Sequence, residues 1–101
     1  IKIIIGGDGD KKYLIDKMVD HFKLRDKIDV LGSLQHYEVM NTLKKGDIYL
    51  NTSLTEAFCI AILEAASSGL FVVSTDIGGV AEVLPRHMRI LVDSNLQSII
   101  N

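Results

Sequence analysis

Asn51-Thr52-Ser53-Leu54-Thr55-Glu56-Ala57-Phe58-Cys59-Ile60-Ala61-Ile62-Leu63-Glu64 runs from the end of a hydrophobic strand, through a short polar loop, into an apolar helix. The β-strand is supplied by Asp47-Ile48-Tyr49-Leu50, and Gly69 is a helix stop on the other side. Two carboxylates, Glu56 and Glu64, lie in this stretch with seven residues between them. Acidic side chains are almost never fully buried unless paired. An acid inside an otherwise apolar helix therefore poses the question of what it binds.

The same strand–loop–helix unit recurs on either side. Residues 1–5 form a β-branched run closed by Gly6-Gly7-Asp8-Gly9, which predicts a buried strand. Asp10 is placed to cap a helix over 11–22, whose Leu14, Ile15, Met18, Val19 and Phe22 form one stripe. A second strand, 28–31, stops at Gly32; a helix over 36–45 turns Val39, Met40 and Leu43 inward and stops at Gly46. The third strand covers 47–51. The helix over 58–68 is apolar nearly all round, so it should be more buried than the other two. A fourth strand at 71–75, a turn at Gly78-Gly79, a short helix at 80–84 stopped by Pro85, a fifth strand at 88–92 and the start of a helix at 96–100 complete the chain. This alternation predicts an α/β fold: a Rossmann-like parallel sheet with helices on both faces and right-handed crossovers. Ligands in such folds bind beyond the carboxyl ends of the strands. Residues 6–9, 32, 51–56 and 76–79 all fall at that edge.

Composition narrows the function classes. The chain has 101 residues, 48% of them hydrophobic, and a formal charge of −2 with acids and bases interspersed. One small domain, or a piece of one, fits that length. No basic patch marks a nucleic-acid surface, and no run of 18 apolar residues marks a membrane span. The single Cys59 excludes an intrachain disulfide, suits a reducing compartment, and reads as a small core residue. The first residue is Ile1, with no signal-peptide pattern, so an excised, soluble fragment is expected. His21 and His87 read as surface residues, and His36 starts a helix. No residues have metal-ligand spacing, and no Ser-His-Asp constellation is visible.

Chemistry is concentrated at the loops. Gly6-Gly7-Asp8-Gly9 lets backbone approach a phosphate, but it lacks both the phosphate-loop and the dinucleotide fingerprints. A structural turn explains it equally well. Asp8 and Asp10 would repel a phosphate, whereas Lys11 and Lys12 are either phosphate ligands or a solvated helix face. The helix starting near Phe58 offers unpaired N–H groups and a partial positive charge, a good seat for a diphosphate. Glu64 lies eight residues beyond Glu56, at most about 12 Å along a helix axis. That span suits a nucleotide-sugar: sugar at Glu56, diphosphate at the helix start, ribose at Glu64. Spacing alone leaves open the plainer alternative, with Glu56 a cap and Glu64 facing water. Asn51-Thr52-Ser53 matches an N-glycosylation pattern but sits at a predicted cleft, so it reads as incidental.

Glu56-x7-Glu64, with Gly-Gly-Asp-Gly after a strand and Ser74-Thr75-Asp76-Ile77-Gly78-Gly79-Val80-Ala81-Glu82-Val83 downstream, resembles the donor-binding half of a retaining GT-B glycosyltransferase of family 4. Nearly the whole chain is covered. Leu31-Gly32-Ser33-Leu34, the Asn51–Cys59 string, Ile62-Leu63-Glu64-Ala65-Ala66-Ser67 and Val72-Val73-Ser74-Thr75 resemble the branch that passes N-acetylglucosamine from UDP-N-acetylglucosamine to phosphatidylinositol, the first step of GPI-anchor synthesis. The resemblance implies Glu56 as the catalytic residue at the donor sugar and Glu64 at the ribose. It places the backbone N–H groups of Phe58, Cys59 and Ile60 on the diphosphate. It sets Leu31, Gly32 and Leu34 beside the uracil, and Gly7 and Gly9 in the wall of the donor cleft. It also implies no metal or cofactor besides the donor, other transferase subunits as partners, and work at the cytoplasmic face of the endoplasmic reticulum membrane.

Several positions depart from the family pattern. Asp10 stands where the family has Pro, and Ala57 and Cys59 stand where most members have Gly. The Arg and Lys that grip the donor, the acceptor domain and the first strand of the sheet lie upstream, so residues 1–101 are expected to be a partial nucleotide-sugar-binding domain, inactive by itself. The gap left by that strand predicts that the strands at 1–5 and 47–51 close up, or that another copy self-associates through the open edge. Two alternatives stay open: a family 4 enzyme with a different nucleotide-sugar donor, and a non-catalytic nucleotide-binding α/β module such as a receiver. A receiver needs an acidic cluster at the strand ends, where only Asp76 is a candidate.

Overall fold

A computed structural model describes residues 1–53, 60–77, 79–93, 97 and 100. The elements alternate as expected: β1 (Ile3–Gly6), α1 (Lys12–His21), β2 (Ile28–Gly32), α2 (His36–Leu43), β3 (Ile48–Asn51), α3 (Ile60–Ser67), β4 (Phe71–Thr75), α4 (Val80–Val83) and β5 (Arg89–Val92). Among the described residues every ladder is parallel, and the architecture is Rossmann-like α/β. The chain divides into two compact units, Ile1–Val39 and Met40–Asn101.

In the first unit β1 pairs with β2, Ile3 opposite Ile28 and Ile5 opposite Val30. The register then shifts, so that Gly6 faces Gly32 and Leu31 drops out of the pairing. Gly32 takes φ +75°, a conformation that suits glycine. The expectation that this first strand is buried is corrected: Ile3 and Ile4 are exposed, because β1 belongs to a sheet of two strands rather than to the centre of a large one. The α1 stripe is also barer than its spacing suggests. Val19 is fully buried, whereas Leu14, Met18 and Phe22 are exposed.

Asp10 does not cap α1. Lys11 occupies the cap position without a side-chain bond, and the Lys12 N–H donates to the Gly9 carbonyl at 3.1 Å. The glycine loop therefore closes through its own backbone. The far end of α1 is a Schellman motif, in which Leu24 N–H donates to the Val19 carbonyl (2.9 Å) and Lys23 N–H to that of Asp20 (3.2 Å). Lys23 sits there at φ 55°, where glycine is usual.

The second unit carries a three-stranded sheet in the order β3-β4-β5. Ile48 pairs with Phe71, Asn51 with Ser74, and Thr75 with Val92. Ile62 and Ala66 from α3, Val72 from β4, Val80 from α4, and Leu84 form its core, with Tyr49, Ile77, Met88 and Leu91 packed against them. As the all-round apolarity of α3 predicts, Ile62, Ala65 and Ala66 are buried, against Val19 in α1 and no residue of α2. Burying a side chain like Ile62 is worth about 1.5–3 kcal/mol. The helix ends in a second Schellman motif, here with Gly69 at φ +92°. A 3-10 turn at Arg86–Met88, absent from the pattern-based expectation, delays β5 to Arg89.

The parallel ladders of the described residues are those within each unit, β1-β2 in the first and β3-β4-β5 in the second. The start of the predicted helix over 58–68, and most of the one over 96–100, lie outside the described residues.

Candidate functional site

The loop after β1 opens a cleft of about 450 Å3 in the first unit, bordered by Gly6, Gly7, Gly9, Lys12, Leu14 and Val30. Gly7, at φ +126°, donates its N–H to the Gly32 carbonyl at 2.7 Å, so the loop after β1 is bonded to the end of β2. A Cβ on Gly6 would lie 2.7 Å from Leu34 Cδ1, which means the Leu34 side chain rests directly on the Gly6 backbone. Four of the expected donor-site residues, Gly7, Gly9, Gly32 and Leu34, are thus gathered at the carboxyl ends of β1 and β2. Leu31, released from the ladder, is exposed beside them.

Lys12 answers the question its sequence position left open. Its side chain is half-buried, with Cε 3.7 Å from where a Gly32 Cβ would be, and Nζ pairs with Asp16 Oδ2 at 3.2 Å. Arg25 reaches the other oxygen of Asp16 at 3.7 Å and donates to Asp20 at 2.7 Å. That hydrogen bond holds the Asp20 carboxyl below its ordinary range.

In the second unit the carboxyl ends of β3 and β4 are joined by side chains. Asn51 Nδ2 donates to Ser74 Oγ (3.1 Å), and Ser74 Oγ to the Thr75 carbonyl (2.9 Å). Thr75 Oγ1 donates to the Ser53 carbonyl (2.7 Å), and Ser53 Oγ to Asn51 Oδ1 (2.8 Å). The four bonds close a ring. Asn51 is only 8% exposed, and Ser74 and Thr75 are fully buried. The glycosylation pattern at Asn51 is therefore incidental: its amide is enclosed and bonded on both sides. Sequence reasoning did not single out this ring. Its signal was polar residues at the last positions of otherwise apolar strands, where burial demands partners.

Ile60 opens the described part of α3 and is exposed, and Glu64 is half-buried one turn on, its carbonyl accepting from Ser68 Oγ at 2.9 Å. Glu56, Phe58 and Cys59 lie outside the described residues. Among the described residues no group of three or more His, Cys, Asp or Glu is placed to hold a metal ion, and no helix is long and apolar enough to cross a membrane.

A parallel α/β unit with glycine-walled loops at its strand ends defines a Rossmann-like class, and the solved fold of sucrose-phosphate synthase from Thermosynechococcus elongatus matches it. The TM-score is 0.78 at 20% identity, over 96% of this chain and 26% of that one. Residues 1–99 match the model of the family described as glycosyl transferases group 1, and the chain belongs to that family. Within it, the chain is 48% identical over 99 residues to a human protein named as a subunit of phosphatidylinositol N-acetylglucosaminyltransferase, covering 98% of this chain and 20% of that protein. It is 50% identical over 93 residues to the Arabidopsis thaliana protein of the same name, covering 92% and 21%. The chain spans about a fifth of the length of these relatives.

Proposed function

We propose that the full-length protein transfers N-acetylglucosamine from UDP-N-acetylglucosamine to phosphatidylinositol with retention, and that residues 1–101 form part of its donor site. The observation that carries this is the 48–50% identity, across nearly the whole chain, to two proteins named for that transferase. Both are called subunits, which supports an assembly of several proteins at a membrane, and we place it at the cytoplasmic face of the endoplasmic reticulum.

In this reading Glu56 is the catalytic residue and contacts the donor sugar. The N–H groups of Phe58, Cys59 and Ile60 hold the diphosphate, and Glu64 binds the ribose. Departure of UDP leaves negative charge on the diphosphate. Backbone dipoles aimed at it lower the barrier without a metal or cofactor. Leu31, Gly32 and Leu34 border the uracil, and Gly7 and Gly9 line the donor cleft, where backbone without side chains allows close approach. Lys12, neutralised by Asp16, contributes little net charge to that cleft.

The decisive measurement is transfer by the full-length protein carrying Glu56→Ala. Loss of about 100-fold or more in kcat, a typical scale for removing a group that acts on the transition state, is expected. Unchanged turnover overturns the role of Glu56.

A further inference from the structure

We infer that Asn51, Ser74 and Thr75 are positioning residues, forming a buried hydroxyl–amide clasp that fixes the chain at Ser53, three residues before Glu56 in sequence. The inference rests on the function proposed above. Three features of the molecule carry it. The ring is closed, each of its four side chains donating once, at 2.7–3.1 Å. It is buried: Ser74 and Thr75 are inaccessible and Asn51 nearly so. And it grips Ser53 twice, by carbonyl and by hydroxyl, three residues before Glu56 in sequence.

A sheet does not need such a ring for its own cohesion. The β3-β4 ladder already pairs Asn51 with Ser74 through the backbone, and apolar side chains could fill the same space without burying polar groups. The side-chain bonds add direction. Thr75 Oγ1 reaches across to the Ser53 carbonyl, beyond the end of β3, and so fixes the chain where ladder bonding stops. A partly satisfied buried network costs more than an apolar one, whereas a complete one specifies a single arrangement. Fixing a catalytic group matters because a misplacement of about 1 Å can cost on the order of 100-fold in rate.

The test uses the full-length protein in membranes, with UDP-N-acetylglucosamine and phosphatidylinositol, and rates normalised to folded enzyme. Thr75→Val keeps the shape and removes the hydroxyl, and Thr75→Ser keeps the hydroxyl. Thr75→Val should lower kcat by about 10- to 100-fold while KM for the donor changes little, and Thr75→Ser should restore most of the rate. If Thr75→Val does not fold, the pair Asn51→Leu with Ser74→Ala, which replaces one bonded pair by an apolar one, should show the same kcat loss. Wild-type kcat in the folded variants overturns the clasp, as does an equal loss in Thr75→Ser. An active wild type with a dead Glu56→Ala and an unaffected Thr75→Val overturns the clasp alone. A wild type that transfers no N-acetylglucosamine overturns the functional reading, and a Glu56→Ala enzyme with wild-type turnover overturns the role of Glu56 and the clasp's with it.

Discussion

The two units hold their strand-end loops by opposite means. After β1 and β2, backbone does the work: Gly7 N–H bonds the Gly32 carbonyl, and Leu34 lies on a glycine that has no side chain. After β3 and β4, side chains do it, through four hydrogen bonds among Asn51, Ser53, Ser74 and Thr75. The supports beneath them differ too. The second unit has a contiguous buried core, whereas the first buries only Val19 and Ile28 among its described hydrophobic residues. At Gly6 an added Cβ would meet Leu34, whereas at Gly7 and Gly9 nothing lies within 4 Å of one, and Gly7 is held to glycine by its φ of +126°. A loop built of hydroxyls tolerates small changes of shape but not the loss of a donor.

The largest expected effect tests the difference in cores. Ile62→Ala removes the centre of the second unit's cluster and should cost about 2–5 kcal/mol in chemical unfolding. Hydrogen exchange read residue by residue sharpens this. Amides of Val72 and Val73 in β4 should be the most protected in the wild type and lose protection in the variant, while those of Ile4 and Ile5 in β1 should start lower. Equal protection of β1 and β4 in the wild type would break the comparison.

A smaller effect compares the two Schellman motifs, which differ in one residue. Lys23 at φ 55° and Gly69 at φ +92° occupy the same position after α1 and α3. A left-handed conformation costs a non-glycine residue about 1–2 kcal/mol. Lys23→Gly should therefore stabilise the chain by about 1 kcal/mol, and Gly69→Ala should destabilise it by a similar amount. Thermal melts of the two variants that shift in the same direction would sink the assignment of strain to Lys23.

The alternation of elements was legible because β-branched runs bounded by glycine have few other readings, and Phe71–Thr75 agrees to the residue. Less legible was everything set by what surrounds an element. The run at 1–5 has the composition of a buried strand, but burial depends on how many strands flank it, which local pattern does not encode. Asp10 has the right identity for a cap, yet Gly9 supplies the bond through its carbonyl. At the candidate site, glycines announce themselves by type. Ser74 and Thr75 look like ordinary strand residues until the pairing of β3 with β4 brings Asn51 to them, so a contact between residues 23 apart was invisible in either strand alone.

The smallest effect separates the units by charge. In the first unit α1 and Arg25 beyond its end form the chain Lys12–Asp16–Arg25–Asp20, fully or partly exposed, whereas the clasp in the second unit is neutral. The hydrogen bond from Arg25 lowers the Asp20 pKa below its ordinary 3.8. A depressed carboxyl stabilises the fold above its unfolded pKa, and the contribution is lost as pH falls through the lower, folded value. Arg25→Gln should therefore raise the Asp20 pKa, followed by NMR titration. Its small stability deficit at neutral pH should vanish once Asp20 is protonated in both proteins. Because the pair is exposed, added salt should shrink the deficit at neutral pH as well. A neutral ring has no such dependence, so the stability difference between Asn51→Leu/Ser74→Ala and wild type should hold across the same acid and salt range. A clasp variant whose deficit tracked acid in the way Arg25→Gln does would show that the two loops are not held by different means.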